Sequence, residues 1–266
     1  MARPTQRTPP PRSSDPEERD EVWLRARRER RLRKSLGAVL VMVAFVAVGI
    51  ALSQGRGGAP PKFGSPAAAH DAAAVAALLP GIPESGTTLG SPHAPVTVTE
   101  YADLECSFCR AFAQGAEQQL IEQEVRSGQV KLVYRSLCTA TCTGPLGRAR
   151  VAPQQAAAYA AGLQGRAWYY IELFYKEQGG EGTGYVSAYY LNGLARQIPG
   201  LNYRRWQADS HLPTLRAQVS GDQRTAARLG FGTTPTTVVQ GPRGKANPIV
   251  GEPSFTQLQA AIRSVS

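Results

Sequence analysis

Histidine is nearly absent from the chain and cysteine is scarce, at three and four residues among 266. The histidines, His70, His93 and His211, are scattered, and no pattern gives them a role. Four cysteines do not make a disulfide framework, and a chain of this length with 42% hydrophobic residues can build a core without one. They fall instead into two close pairs, Cys106/Cys109 and Cys138/Cys142, which points to chemistry or local bridging. A four-thiolate zinc site is the metal alternative, and the lack of histidine near either pair counts against it.

Charge is missing altogether from residues 35–55, "SLGAVLVMVAFVAVGIALSQG". As a helix this segment would span roughly 30 Å, the thickness of a bilayer core. The run "RARRERRLRK" precedes it, and the positive-inside rule keeps such a cluster in the cytoplasm. The expectation is a single-pass signal-anchor with the rest of the chain extracytoplasmic. A cleavable signal peptide cut near Ala51-Leu52-Ser53 is the alternative, and it too exports the domain beyond it. Of the net charge of +10, the first 35 residues supply half, so the basic balance belongs to the tail and leaves no nucleic-acid footprint on the folded part.

The composition divides the chain into a disordered basic tail (1–34), a membrane helix (35–55), a Gly/Pro/Ala-rich linker (56–77) and a folded domain (78–266). "VTVTEY" alternates as a strand with Val96, Val98 and Glu100 on one face. Residues 107–128 carry helical spacing, and "VKLVYR" is a second strand. Helical patterns fill most of about 138–229, with Trp168, Tyr169, Tyr170, Phe174 and Tyr175 expected in its core. A hairpin around 232–250 and a final helix opening with the capping box Ser254/Gln257 complete the order.

The Cys-x-x-Cys of "EYADLECSFCRAF" therefore stands at a strand-to-helix junction. There the helix N-terminus offers unpaired N–H groups and the positive end of its dipole, both of which favour a thiolate at Cys106. Cys109, one turn on, would be the shielded resolving partner of an exposed attacking sulfur. A structural bridge between them would close too short a loop to gain much chain entropy. Glu100, beneath the pair on the apolar face, could take and return the proton of Cys109, unless it is an edge-strand glutamate facing solvent. Asp103 and Glu105 read as solvated charges that oppose a lowered thiol pKa.

"VTVTEYADLECSFCRAF", "LVYRSL", "RAWYYIELFYKEQG" and "AARLGFGTTPTTVVQG" occur in the order seen in exported DsbA-type thiol:disulfide oxidoreductases, and about residues 78–264 resemble that family. The resemblance implies an α/β thioredoxin-like fold with an inserted helical domain. It implies Cys106 as exchanging thiol, Cys109 as resolving thiol, Glu100 as the buried acid and Thr234-Pro235 as the loop whose cis-proline lies against the disulfide. Without it, Pro235 is an ordinary proline at the start of a strand, and trans. The family uses no bound cofactor; its substrates are exported cysteine-containing proteins, and a quinone-linked membrane partner of the DsbB or vitamin K epoxide reductase type reoxidises it. Ser107-Phe108 between the cysteines departs from the family's frequent Pro or His, and a threonine before the cis-proline also resembles the isomerase branch. A reductase or isomerase, or a tethered binding module stapled by its cysteines, are the other readings. Cys138/Cys142 are expected as a structural disulfide, with a second redox relay as the alternative.

Overall fold

The computed structural model of the chain describes residues 59–142 and 152–266, and of Cys142 only the backbone. The expected tail and membrane helix lie outside these residues. Among the described residues no helix is long and apolar enough to cross a membrane.

The strands are β1 (Glu84–Ser85), β2 (Thr88–Leu89), β3 (Val96–Ala102), β4 (Val130–Ser136), β5 (Thr236–Gly241), β6 (Gly244–Lys245) and β7 (Ile249–Val250). They form one sheet in the order β1-β2-β4-β3-β5-β6, with β7 also on β5. β3 lies at its centre, parallel to β4 and antiparallel to β5. Its alternation shows directly: Val96, Val98 and Glu100 are buried while Thr97 and Thr99 are half-buried. The register sets Glu100 between Tyr134 and Thr237, so three polar side chains share one level of an otherwise apolar face.

The helices are α1 (Pro66–Leu78), α2 (Ser107–Ala113), α3 (Ala116–Leu120), α4 (Pro153–Gly162), α5 (Ala167–Lys176), α6 (Ala188–Gln197), α7 (Tyr203–Asp209), α8 (Pro213–Arg228) and α9 (Phe255–Val265). α1 occupies most of the stretch that composition marks as linker. Ser65 caps it by accepting from the Ala68 N–H at 3.2 Å, Pro66 opens it, and Val75 is buried where it packs against α5. The expected helix over 107–128 is broken at Gly115, whose backbone leaves the helical region at φ −125, ψ −102. A β-carbon there would stand 3.0 Å from the Ala111 carbonyl oxygen, so glycine permits the sharp bend. The chain then loosens into a π-helical turn, Ile121–Val125, before β4.

Between β4 and β5 the chain makes α4 to α8, the expected helical insertion. α5 is nearly buried all round, with Trp168, Tyr170, Phe174 and Tyr175 inaccessible and Tyr169 partly covered. Buried aromatics keep their polar ends satisfied and so fasten the insertion to the sheet and its helices to one another. Trp168 Nε1 donates to the Thr87 carbonyl at 3.0 Å, Tyr134 Oη to Gln155 Oε1 at 2.8 Å, and Trp206 Nε1 to the Ala157 carbonyl at 2.9 Å. α8 covers the opposite sheet face, where Ala226 packs with Tyr101 and Leu137. The capping box of α9 forms as expected, Gln257 N–H donating to Ser254 Oγ and Ser254 N–H to Gln257 Oε1.

Candidate active site

β3 ends at Ala102, and four residues later Cys106 is the N-cap of α2. The intervening turn is held by the Cys106 N–H on the Asp103 carbonyl at 3.0 Å and by Gln178 Nε2, which donates to the carbonyls of Leu104 at 2.6 Å and Cys106 at 3.2 Å. The Cys106 thiol donates to the Thr234 carbonyl at 3.5 Å. That contact brings the loop before β5, distant in the sequence, against the dithiol, and the Thr234–Pro235 peptide bond in it is cis. Glu100, Cys106, Cys109, Thr234 and Pro235 thus stand together at one end of β3.

The exposed attacking sulfur expected from the motif is not what the structure shows. Cys106 is 5% exposed and Cys109 fully buried, because the Thr234 loop lies on the first sulfur and the core encloses the second. The exposed side chain of the motif is Phe108, at 61%.

The two free thiols are electrostatically unequal. Cys106 is lowered from its ordinary value to about 6, first by the Cys109 thiol donating to it, then by the Thr234 side chain and the N–H groups of Cys109 and Phe108, with burial opposing. Cys109 is pushed well up, first by burial and then by donating to the Cys106 sulfur and by the charges of Cys106 and Glu100. At neutral pH the pair is one thiolate beside one thiol. A thiolate of that acidity is both an available nucleophile and a good leaving group.

Below the pair, Glu100, Glu117 and Glu172 are all buried to 1% or less. Burial raises the pKa of all three; the Glu117 side chain partly restrains Glu100, and the charges of Glu172 and Cys106 push it further up. None of the four oxygens of Glu100 and Glu117 has a partner at hydrogen-bond distance, nor has Oε1 of Glu172, so Glu117 restrains Glu100 only through a longer polar contact, made while Glu117 itself keeps its proton. Three carboxyls buried together, with the Lys176 charge acting on Glu172 alone, cannot all ionise in a dry interior.

Asp103 and Glu105 are not solvated, against the expectation. Asp103 is 0% exposed and accepts four hydrogen bonds: Glu105 N–H on Oδ1 at 3.1 Å, and Thr139 N–H, Thr141 N–H and Thr141 Oγ1 on Oδ2 at 2.8, 3.0 and 3.0 Å. Glu105 is half-buried, accepts from Gln154 Nε2 at 2.9 Å, and is raised to about 7 by burial. Apart from the Glu105 N–H, their partners come from beyond β4, which local sequence cannot disclose.

Sequence reasoning also passed over Glu117, Glu172, Gln178 and Glu181. Glu117 and Glu172 did leave a signal, each being a carboxylate on an apolar helical stripe. Glu181, in a glycine-rich turn of the insertion, accepts from both the N–H and the hydroxyl of Ser107, at 3.1 and 3.0 Å. Cys138 is disulfide-bonded, and its Sγ lies 3.0 Å from Thr141 Oγ1.

A strand-to-helix dithiol of unequal thiols, set against a cis-proline loop, defines a dithiol–disulfide exchange protein on an α/β fold with a helical insertion. A family model described as thioredoxin matches residues 83–262, and the chain belongs to that family. It is 24% identical over 176 residues to the probable disulfide bond formation protein D of Bacillus anthracis, an alignment covering 66% of this chain and 76% of that protein. The fold is shared with oxidised BdbD from Bacillus subtilis at TM-score 0.57 and 19% identity, covering 68% of this chain and 95% of that one. It is also shared with DsbA2 from Pseudomonas aeruginosa at TM-score 0.52 and 24% identity, covering 70% and 97%. The chain is a DsbA-like thiol:disulfide oxidoreductase.

Proposed function

We propose that the chain is an oxidase, anchored outside the cytoplasm by residues 35–55, that introduces disulfides into exported proteins. The observation that carries this reading is the inequality of the two thiols. A substrate thiolate attacks Cys106 Sγ of the Cys106–Cys109 disulfide, forming a mixed disulfide and releasing Cys109. Cys109, whose burial disfavours the thiolate, takes a proton through Glu100. A second substrate thiolate then displaces Cys106, which departs as a thiolate because its pKa is about 6. The substrate loses two electrons to the protein, and of its two thiol protons one ends on Cys109 while the other goes to solvent, since Cys106 stays a thiolate. A quinone-linked membrane partner of the DsbB or vitamin K epoxide reductase type would take them back. Thr234 and Pro235 would hold the extended substrate strand beside Cys106. Cys138 would pair with Cys142 as a structural disulfide.

The test is the equilibrium of the Cys106/Cys109 couple with glutathione in the exported domain. A potential near about −120 mV, that of the strong oxidant DsbA, is expected, and one near about −270 mV, that of thioredoxin, refutes the oxidase. Cys106→Ser should abolish disulfide formation in exported substrates. The threonine before the cis-proline favours isomerase activity as the second reading, and a mostly reduced couple in cells would select it.

A further inference from the structure

The segment from Cys138 to Thr141 has no part in the exchange chemistry itself, yet it touches the exchange site. Asp103 receives its Thr139 and Thr141 N–H groups and the Thr141 hydroxyl, so a buried carboxylate on the active-site turn fixes the segment's backbone. Cys138, disulfide-bonded and 3.0 Å from Thr141 Oγ1, anchors the start of the same segment. From this clamp the Thr139 hydroxyl reaches Thr234 Oγ1 at 2.5 Å, while the Thr234 carbonyl accepts from Cys106 Sγ.

Each threonine hydroxyl has one hydrogen to give. When Cys106 is a thiol, its own hydrogen lies on the Thr234 carbonyl. When it ionises, that hydrogen is gone, and the nearby Thr234 hydroxyl gains most by turning its hydrogen to the new charge, because charge-assisted hydrogen bonds are the strong ones. It can do so without losing its other contact only if Thr139 donates to it. A hydroxyl that accepts while it donates is also the better donor. We propose that Thr139 is a positioning residue for exchange: held by Asp103 and by the anchored Cys138, it donates to Thr234 and so aims the Thr234 hydroxyl at the Cys106 thiolate. The second cysteine site thereby serves the first through two hydroxyls.

The other titratable groups coupled to Cys106 are Cys109 on α2 and Glu100 on β3, and the segment itself brings no charge to the sulfur. Thr234's side chain is among the groups that lower the Cys106 pKa.

The inference rests on Cys106 as the exchanging thiol. A Cys106→Ser protein that still exchanged disulfides would remove that reading, whereas the role of Thr139 is tested on the thiolate itself. Thr139→Val is isosteric and keeps the backbone N–H on Asp103. Titrating the Cys106 thiolate by its ultraviolet absorbance should show its pKa raised by about half a unit. The equilibrium with glutathione should move about threefold toward the disulfide form of this protein, about 15 mV less oxidising. Thr139→Ser should restore both values, and Thr139→Ala should reproduce the shift if the valine variant folds poorly. In a Thr234→Val background the Thr139→Val change should have no further effect. An unmoved or lowered pKa in Thr139→Val, or a shift that persists in the Thr234→Val background, overturns the proposal.

Discussion

Glu100 and Asp103 sit three residues apart at the end of one strand, both 0% exposed, and share almost nothing else. Asp103 receives four hydrogen bonds, three of them from the Thr139–Thr141 segment, whereas neither oxygen of Glu100 has a partner. Burial raises both, but at Asp103 four donors pull back, whereas at Glu100 only Glu117 does so in part and the charges of Glu172 and Cys106 add to the rise. A carboxylate that is fully satisfied acts as a clamp, since its charge is what its neighbours bond to. One left unsatisfied costs the fold and gains a movable proton, a cost that functional sites tolerate.

The contrast breaks first at Asp103. Asp103→Ala leaves four donors without their acceptor and should cost about 4 kcal/mol of stability, lowering the melting temperature by roughly 12 °C. Thermal and urea unfolding of the reduced domain measure this, and a change under about 1 kcal/mol would show that the four bonds are not holding the turn.

Glu100→Gln should behave in the opposite way. Exchange at Cys109 should slow by about 100-fold, the usual size of a lost acid–base group, while stability stays level or rises because an uncompensated buried acid is gone. Stopped-flow reduction of the disulfide paired with equilibrium unfolding separates the two effects. A large loss of stability with an unchanged rate would make Glu100 another clamp.

The pH dependence comes next. The Cys106 pKa is depressed in the fold, to about 6 against about 8.5 unfolded. It therefore favours the reduced form by up to about 3 kcal/mol, fully above the unfolded value and lost as pH falls through 6. Water reaching the sulfur will reduce that figure. The difference in unfolding free energy between oxidised and reduced domain, followed from about pH 9 to about pH 5, should shrink along that course, and a flat difference would mean that Cys106 is not ionised in the fold.

The smallest effect is expected at Glu117, whose side chain restrains the rise of Glu100. Glu117→Leu should move the alkaline limb of the exchange rate upward by less than about one pH unit, with stability level or higher. A downward move in the rate profile would show that Glu117 acts on Glu100 chiefly by its charge.

Several parts of this site were legible in the chain. The alternation of Val96, Val98 and Glu100 placed the acid on the buried face, and the helix pattern after Ser107 put Cys106 at a helix N-terminus. Both depend only on periods of two and of 3.6 residues, which a short window contains. Asp103 was misread because "ADLEC" offers it only the Glu105 N–H; its three other donors come from Thr139 and Thr141. Glu117 and Glu172 were passed over although each interrupts an apolar stripe, and that they are neighbours could not be read because they come from different helices. α1 was read only as a short helix from His70 at the end of the linker, since an alanine-rich segment has too little amphipathic contrast to announce its full extent before it has something to pack on.

The sequence by itself determined the strand-to-helix placement of the two cysteines, the helical insertion and the burial of Glu100, because each is written in local periodicity. Only the tertiary structure decided that Thr234 lies on Cys106, that Asp103 clamps the Cys138 segment and that three acids share one dry interior. Those are contacts between residues far apart in the chain, chosen by which surfaces pack and which buried polar groups find partners.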